Sequence, residues 1–243
     1  MATEQYNPQV SAHYAAYRPP VHQLILASLA AKSPVSSNAA QFSAGLDIGC
    51  GTGVSSVALA AHCDHVLAVD PSEAMIANAA LHPSISYHIG DGEAVPVASG
   101  SVDVVTLAGS LFYAKSDALV AELVRVGHAQ SVIWVYDFEV RLESAFALLG
   151  IAMASSSSDY DHAINLSDSA LLTEVECEQS ALTLTMTTEQ LAHVLFSSSR
   201  RFDVFVAHFG ADNTFEQVVT KLNAHSTHHS VSVDTYCSVY RLK

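Results

Sequence analysis

Hydrophobic and polar positions alternate along this chain between two periods. Val21, Leu24, Ile25 and Leu29 share one helical face, and Pro20 before them suits a first helical position. A short apolar run begins at Leu46 and predicts a strand over about 44–48; Val54, Val57, Ala58 and Ala61 then fall on one helical face, predicting a helix over about 54–62. The pattern repeats. Residues 65–70 predict a second strand, and a helix starts near Pro71 or Ser72, with Ser72 as N-cap and Glu73 in the first turn. Ile85, Tyr87 and Ile89 alternate as a third strand, and 102–107 predict a fourth. A helix over about 116–127 leads to a fifth strand at 131–137, where Val132–Val135 is continuously apolar, as expected of a strand buried on both faces. Later, Leu182, Leu184 and Met186 alternate as a strand. Thr187 or Thr188 caps a helix reaching Phe196, a helix covers 214–225, and a last strand covers 231–241. Strands alternating with helices predict an α/β fold around a largely parallel sheet.

Two stretches break the rhythm. Residues 32–44 form a Ser/Ala/Pro-rich connector. Between 138 and 180, eight acids stand against the single base Arg141, with a serine run at 155–158. This stretch reads either as an insertion covering the substrate or as a long solvated acidic flap. The organisation expected is one domain over 1–243: a lead-in and first helix (1–43), a ligand-binding core (44–137), the insertion (138–180) and C-terminal strands and helices (181–243).

The first strand and helix are joined by LDIGCGTG, residues 46–53, with glycines at 49, 51 and 53. Such a loop turns sharply and lets a ligand approach bare backbone, and its unit aims N–H groups and a helix N-terminus at the crevice above the sheet. The spacing is G-x-G-x-G, not the dinucleotide G-x-G-x-x-G, whose third glycine position is held by Val54. Asp47, two residues before the first glycine, would repel a pyrophosphate but accept from an ammonium group. Asp70, ending the second strand, can take both hydroxyls of a ribose. The implied ligand carries a ribose and a cationic amino group, which S-adenosylmethionine does.

Composition narrows the partners. The net charge is −14, with ten basic residues and no basic run, which excludes tight phosphate-neutralising binding to nucleic acid and disfavours an anionic membrane. No window offers about 18 consecutive apolar residues for a membrane span, and MATEQYNPQV lacks the basic start and apolar core of a signal peptide. Cys50, Cys63, Cys177 and Cys237 form no C-x-x-C pair and read as reduced thiols of a cytoplasmic protein, Cys50 as a small residue presenting its backbone. His225, His228 and His229 share a face if helical, but no carboxylate or cysteine joins them, and no metal is expected.

LDIGCGTG at 46–53, AVDPS at 68–72 and GDGEAVP at 90–96, in that order, resemble the class I S-adenosylmethionine-dependent methyltransferases. The resemblance is specific over roughly 44–113. It implies a Rossmann-like seven-stranded sheet completed by an antiparallel last strand, with an insertion after strand five. The segment SAHYAAYRPP (11–20) resembles the lead-in of many small-molecule methyltransferases, TTEQLAHVLFSSS (187–199) resembles a segment of the trans-aconitate-type and related ones, and the chain as a whole resembles the trans-aconitate and ubiquinone-biosynthesis group. The first implies a lid over the cofactor, with Tyr14, Tyr17 and Arg18 near the methionine end or the substrate mouth; the alternative is core packing for the tyrosines and a surface place for Arg18. The resemblance implies cofactor contacts along Tyr17, Arg18, Asp47, Gly49, Cys50, Gly51, Asp70 and Pro71, with Met75 against the adenine and Asp91 accepting from its amino group. Gly92 and Glu93 follow, and Ala108 and Ser110 overhang the cofactor. Phe112-Tyr113 stand where many relatives carry His-Trp, leaving aromatic faces that attract a sulfonium.

The function implied is methyl transfer to an O, N or C nucleophile of a small molecule, with S-adenosylhomocysteine as product. The protein need only align the acceptor and exclude water, with a general base where a proton must leave. His13, Tyr14, Tyr113 and Glu139 are candidates for that base. Two rivals share the motifs: transfer from a modified cofactor or of another group, and a non-catalytic binder regulating a partner.

Overall fold

A computed structural model describes residues 8–32, 42–152 and 159–243; most of the Ser/Ala/Pro connector and the serine run at 155–158 lie outside these residues. Its elements are α1 (Pro8–Ala16), α2 (Val21–Lys32), β1 (Phe42–Ile48), α3 (Val54–Ala60), β2 (Cys63–Asp70), α4 (Glu73–Ala77), β3 (Ile85–Ile89), β4 (Val102–Ala108), α5 (Leu111–Ala114), α6 (Asp117–Val126), β5 (Gly127–Val140), α7 (Glu143–Leu149), β6 (Leu172–Thr187), α8 (Thr188–Phe196), α9 (Ser199–Phe209), α10 (Thr214–Asn223) and β7 (His228–Leu242). The chain divides into two compact units. The larger holds residues 21–138, 158–180 and 235–243; the smaller holds the residues up to Pro20 with 139–157 and 181–234. The acidic stretch at 138–180 is thus shared out between them.

The strands form one seven-stranded sheet in the order β3-β2-β1-β4-β5-β7-β6. β1 pairs in parallel with β2 on one side and β4 on the other, so the winding direction reverses between β1 and β4. The crevice beyond the carboxyl ends of strands at such a reversal is where open α/β sheets take ligands. Asp47 lies level with Ala68 of β2 and Thr106 of β4, and Ala108 lies level with Tyr136 of β5. One face of the larger unit's sheet buries Leu46, Ile48, Val105 and Leu107 with Leu119, Leu123 and Val126 of α6. Near the other, α3 packs so closely that a Cβ at Gly45 would lie 3.2 Å from Leu59 and 2.7 Å from the Cys63 sulfur. The expected caps form: Ser72 accepts from the Met75 N–H, and Thr187 and Gln190 make a reciprocal capping box at α8.

Some elements run further than apolar pattern alone indicates. β5 starts at Gly127, where polar GHAQ residues continue the strand paired with Val102 of β4. β6 starts at Leu172 and runs through Glu174, Glu176 and Glu178. It lies last in the strand order, and charged side chains are how sheet edges resist pairing with other chains. Its acids are also partnered: Lys32 bridges Glu176 and Glu178, and Glu174 accepts from the Tyr240 hydroxyl at 3.2 Å.

In the smaller unit, Phe146 stacks on Phe205 (centroids 5.4 Å apart), Phe205 on Phe196 (4.8 Å), and His13 on Phe215 (4.8 Å). α9 follows directly on α8, where the sequence reading ended its helix at Phe196. His225 follows α10, but His228 and His229 open β7 and so point to opposite faces of a strand. His229 Nε2 bonds the Thr188 hydroxyl at 3.1 Å. The three histidines therefore share no helical face, and no group of three His, Cys, Asp or Glu suited to a metal occurs among the described residues.

Candidate active site

The glycine loop closes on itself. Gly49, Gly51 and Gly53 have φ of 72°, 55° and 83°, the left-handed region that favours glycine. A Cβ at Gly49 would stand 2.4 Å from that of Ser110, and one at Gly53 would stand 2.1 Å from the Tyr87 hydroxyl. At Gly51, by contrast, a Cβ would meet nothing within 4 Å. The bare backbone therefore serves packing at two glycines and leaves open space at the third. The N–H groups of Gly49 and Cys50 both donate to the Val69 carbonyl, Gly53 N–H donates to the Cys50 carbonyl, and Gly51 N–H donates to Asp70 Oδ2 at 2.8 Å. Those four donors are spent inside the protein and are not aimed at the crevice, correcting the expectation from the motif.

Asp70 ends β2, with Oδ2 on Gly51 N–H and Oδ1 accepting from Ser72 N–H at 2.9 Å. A carboxylate oxygen has further lone pairs, so a fixed Asp70 can still accept from hydroxyls. Asp47 behaves differently. It is fully buried, and its oxygens accept from Ser55 and Ser56 (2.6 Å each) and from Thr106 (2.8 Å). Burial pushes its carboxyl up from the ordinary value, against the three hydroxyls, which lower it. Its oxygens face inward and tie β1 to α3 and β4. Ser110 is buried too, and its hydroxyl donates to the Ile48 carbonyl at 2.6 Å.

Beyond β4 and β5 lies a shallow open recess. Asp137, just past Tyr136 on β5, reaches into it. Asp137 Oδ2 accepts from the Tyr160 hydroxyl (2.7 Å) and pairs with His162 Nδ1 (3.1 Å), while Oδ1 accepts from the Phe138 N–H (2.7 Å). A Cβ at Gly109 would lie 3.3 Å from Asp137 Oδ1, so glycine there lets the carboxylate close on the end of β4. Rings surround the group: Phe112 to Tyr160 is 4.7 Å, Tyr160 to His162 4.7 Å and His162 to Tyr236 5.6 Å between centroids.

Comparison with known proteins bears on the strands and loop that carry the crevice. Residues 46–135, which run from β1 through most of β5, match the family described as methyltransferase domain. Over those residues the chain resembles a methyltransferase domain. A Dictyostelium discoideum protein assigned as a methyltransferase is 32% identical over 98 residues, 37% of this chain and 35% of that protein. The match therefore spans about a third of that relative's length. Among solved structures, one described as a type II methyltransferase from Anaeromyxobacter dehalogenans superposes with a TM-score of 0.64 at 22% identity, covering 93% of this chain and 97% of that one. One assigned as a methyltransferase from Bacillus halodurans gives 0.51 at 17% identity, with 89% and 97% covered. These likenesses show the seven-stranded Rossmann-like fold.

Within the matched residues, Met75 on α4 is 41% exposed and Pro71 is exposed beside Asp70. Asp91 is exposed just past β3, with Oδ1 accepting from Glu93 N–H at 3.0 Å. Gly92 is buried at φ 84°, where a Cβ would strike Ile48 at 2.6 Å. Glu93 accepts from the Ser116 hydroxyl at 2.6 Å, and Ser116 caps α6, so Glu93 braces a helix. Cys50 is buried and its thiol is pushed up to about 12 by burial, with Asp47 and Asp70 adding to the rise; it is protonated and no nucleophile. Ala108 ends β4, half-buried.

The proposed bases fare unevenly. Tyr113 is 73% exposed and stands edge-on to Phe112. Glu139 pairs with Arg141 at 2.9 Å in the smaller unit, where Glu143 and Asp234 face the same guanidinium. His13 is held by His193 (Nδ1 to Nδ1, 2.9 Å) among Phe196 and Phe215, a packing role. Tyr17 and Arg18 follow α1 in the same unit, half-buried, and the side chain of Tyr14 lies outside the described residues. Sequence reasoning missed Asp137, Tyr160 and His162. Asp137 was visible only as the polar residue after an apolar run, and the other two sit in irregular chain with no periodicity to mark them.

Proposed function

We propose that the chain transfers the methyl group of S-adenosylmethionine to a small neutral or cationic acceptor. The observation that carries this reading is the loop itself: four N–H donors spent internally, open space at Gly51, and Asp70 fixed at the end of β2. These features suit a ribose beside bare backbone and disfavour a phosphate. Asp70 would hold the ribose hydroxyls, with Asp91, Met75 and Ile89 beside the adenine. When bound, the cofactor supplies a methyl group already activated on a sulfonium, so the protein's own work is alignment and exclusion of water. The recess is lined by Asp137 and Glu178 and, among its described residues, by no Lys or Arg. That supports a neutral or cationic acceptor over a tricarboxylate of the trans-aconitate kind.

The surroundings fit a cytoplasmic enzyme. All four cysteines are free, as in a reducing compartment. No described helix is long and apolar enough to cross a membrane, and the charge of −14 opposes nucleic acid. Calorimetry with S-adenosylhomocysteine tests the ribose assignment. Asp70→Ala is expected to weaken binding about tenfold or more, the loss of one strong hydrogen-bond pair. Unchanged affinity in a folded variant contradicts it.

A further inference from the structure

We propose that His162 is the general base of the methyl transfer, oriented by Asp137, and that it serves an aromatic hydroxyl acceptor. This rests on the reading of the chain as a methyltransferase and adds its acceptor side. An ionised carboxylate only accepts, so its pairing with Nδ1 places the neutral imidazole's hydrogen on that nitrogen. The lone pair is then on Nε2, which makes no hydrogen bond within the described residues. Asp137 is itself fixed by the Phe138 N–H and the Tyr160 hydroxyl, so the ring is held from a rigid strand end.

The other groups facing His162 do not compete for the proton. Tyr160 lies between Asp137 Oδ2 and the Gly109 carbonyl, and burial and that carboxylate push its phenol far up, so it stays a donor. Tyr236 stacks on the imidazole. Cys237 is pushed up to about 12, chiefly by burial, and is protonated; Lys32 engages Glu178 and holds its carboxyl down. Asp161 accepts from its own turn at Ala163 N–H, and Cys177 accepts from the Ser238 hydroxyl.

Position supports the same role. The recess includes Gly109, and the neighbouring Ser110 packs on Gly49 of the cofactor loop, so recess and loop share a wall. The series Phe112, Tyr160, His162 and Tyr236 offers ring faces to an aromatic acceptor. In the step, the acceptor oxygen bonds to the methyl carbon as the carbon–sulfur bond breaks, its electron pair staying on sulfur. The hydroxyl proton passes to Nε2 of His162, and the imidazolium, balanced by Asp137, later releases it to water.

Two measurements on the full chain test this. In a two-bond proton–nitrogen spectrum of ¹⁵N-histidine-labelled protein above neutral pH, His162 is expected as the Nδ1–H tautomer, shifting toward Nε2–H in Asp137→Asn; an Nε2–H tautomer in the wild type overturns the assignment. The second compares methylation of phenol and of 4-nitrophenol, which is largely ionised at pH 8 and needs no base. His162→Gln is expected to slow phenol about 100-fold or more, within the usual range for a general base, and to slow 4-nitrophenol at least tenfold less. S-adenosylmethionine affinity by calorimetry should stay as in the wild type. Equal losses on both phenols, no loss on either, or a wild type that binds cofactor and methylates neither overturns the proposal. A wild type that fails to bind cofactor overturns the methyltransferase reading, and this proposal with it.

Discussion

The Thr106 hydroxyl on β4 donates to the Asp47 carboxylate on β1 at 2.8 Å, directly across two paired strands. With Ser55 and Ser56 on the other oxygen, Asp47 is a buried knot that fixes β1, β4 and the first turn of α3. Asp47→Ala would take the acceptor from the buried Ser55 and Ser56 hydroxyls and leave Thr106 only the Leu46 carbonyl at 3.4 Å, each lost acceptor costing about 1–3 kcal/mol where water cannot replace it. The expected result is a drop of about 3 kcal/mol or more in urea-unfolding stability. A variant of unchanged stability that no longer binds cofactor would instead restore the direct contact expected from the motif.

Gly51 and Gly53 make a contrasting pair. Both need a left-handed φ, which costs an alanine about 1–2 kcal/mol. Gly53→Ala also drives a methyl into the Tyr87 ring, where Cζ would be 2.8 Å away. Gly51→Ala places its methyl in open space on the loop. Denaturant unfolding should therefore show a larger stability loss for Gly53→Ala, and calorimetry the larger affinity loss, per unit of stability lost, for Gly51→Ala.

His13 supplies a pH dependence in the smaller unit. Burial lowers its proton affinity, His193 lowers it further, and Glu216 opposes both. The unfolded chain therefore binds the proton more tightly than the folded one, so this residue's contribution is fully present above the ordinary histidine value near 6.5 and is lost as pH falls below it. His13→Phe keeps a ring on Phe215 and removes the titration. The fall in Tm between pH 7.5 and 5.5 should be smaller in the variant than in the wild type.

The sheet core was legible because both of its periods are written in side chains. Parallel strands buried on two faces, such as Val132–Val135, appear as apolar runs, and the glycine spacing and Asp70 are local in sequence. Side-chain direction was not legible. Asp47 sits in the right motif, yet a strand sends successive residues to opposite faces and this one turns inward, while Ser110, just past β4, turns its hydroxyl onto the Ile48 carbonyl. The start of β6 was hidden because its edge position leaves Val175 exposed and only Cys177 alternates with it between the glutamates, a short apolar signal. The Asp137–His162 pair joins residues 25 apart through irregular chain, a proximity only the fold creates.

The claim beneath all of this is that the crevice over β1 and β2 holds an adenosyl sulfonium and not a phosphate. Isothermal titration of the full chain with S-adenosylmethionine, and separately with ATP and NAD, tests it most directly. Saturable one-to-one binding of the sulfonium with no heat from either phosphate compound is the predicted result. Binding of ATP or NAD with none of S-adenosylmethionine would contradict the account.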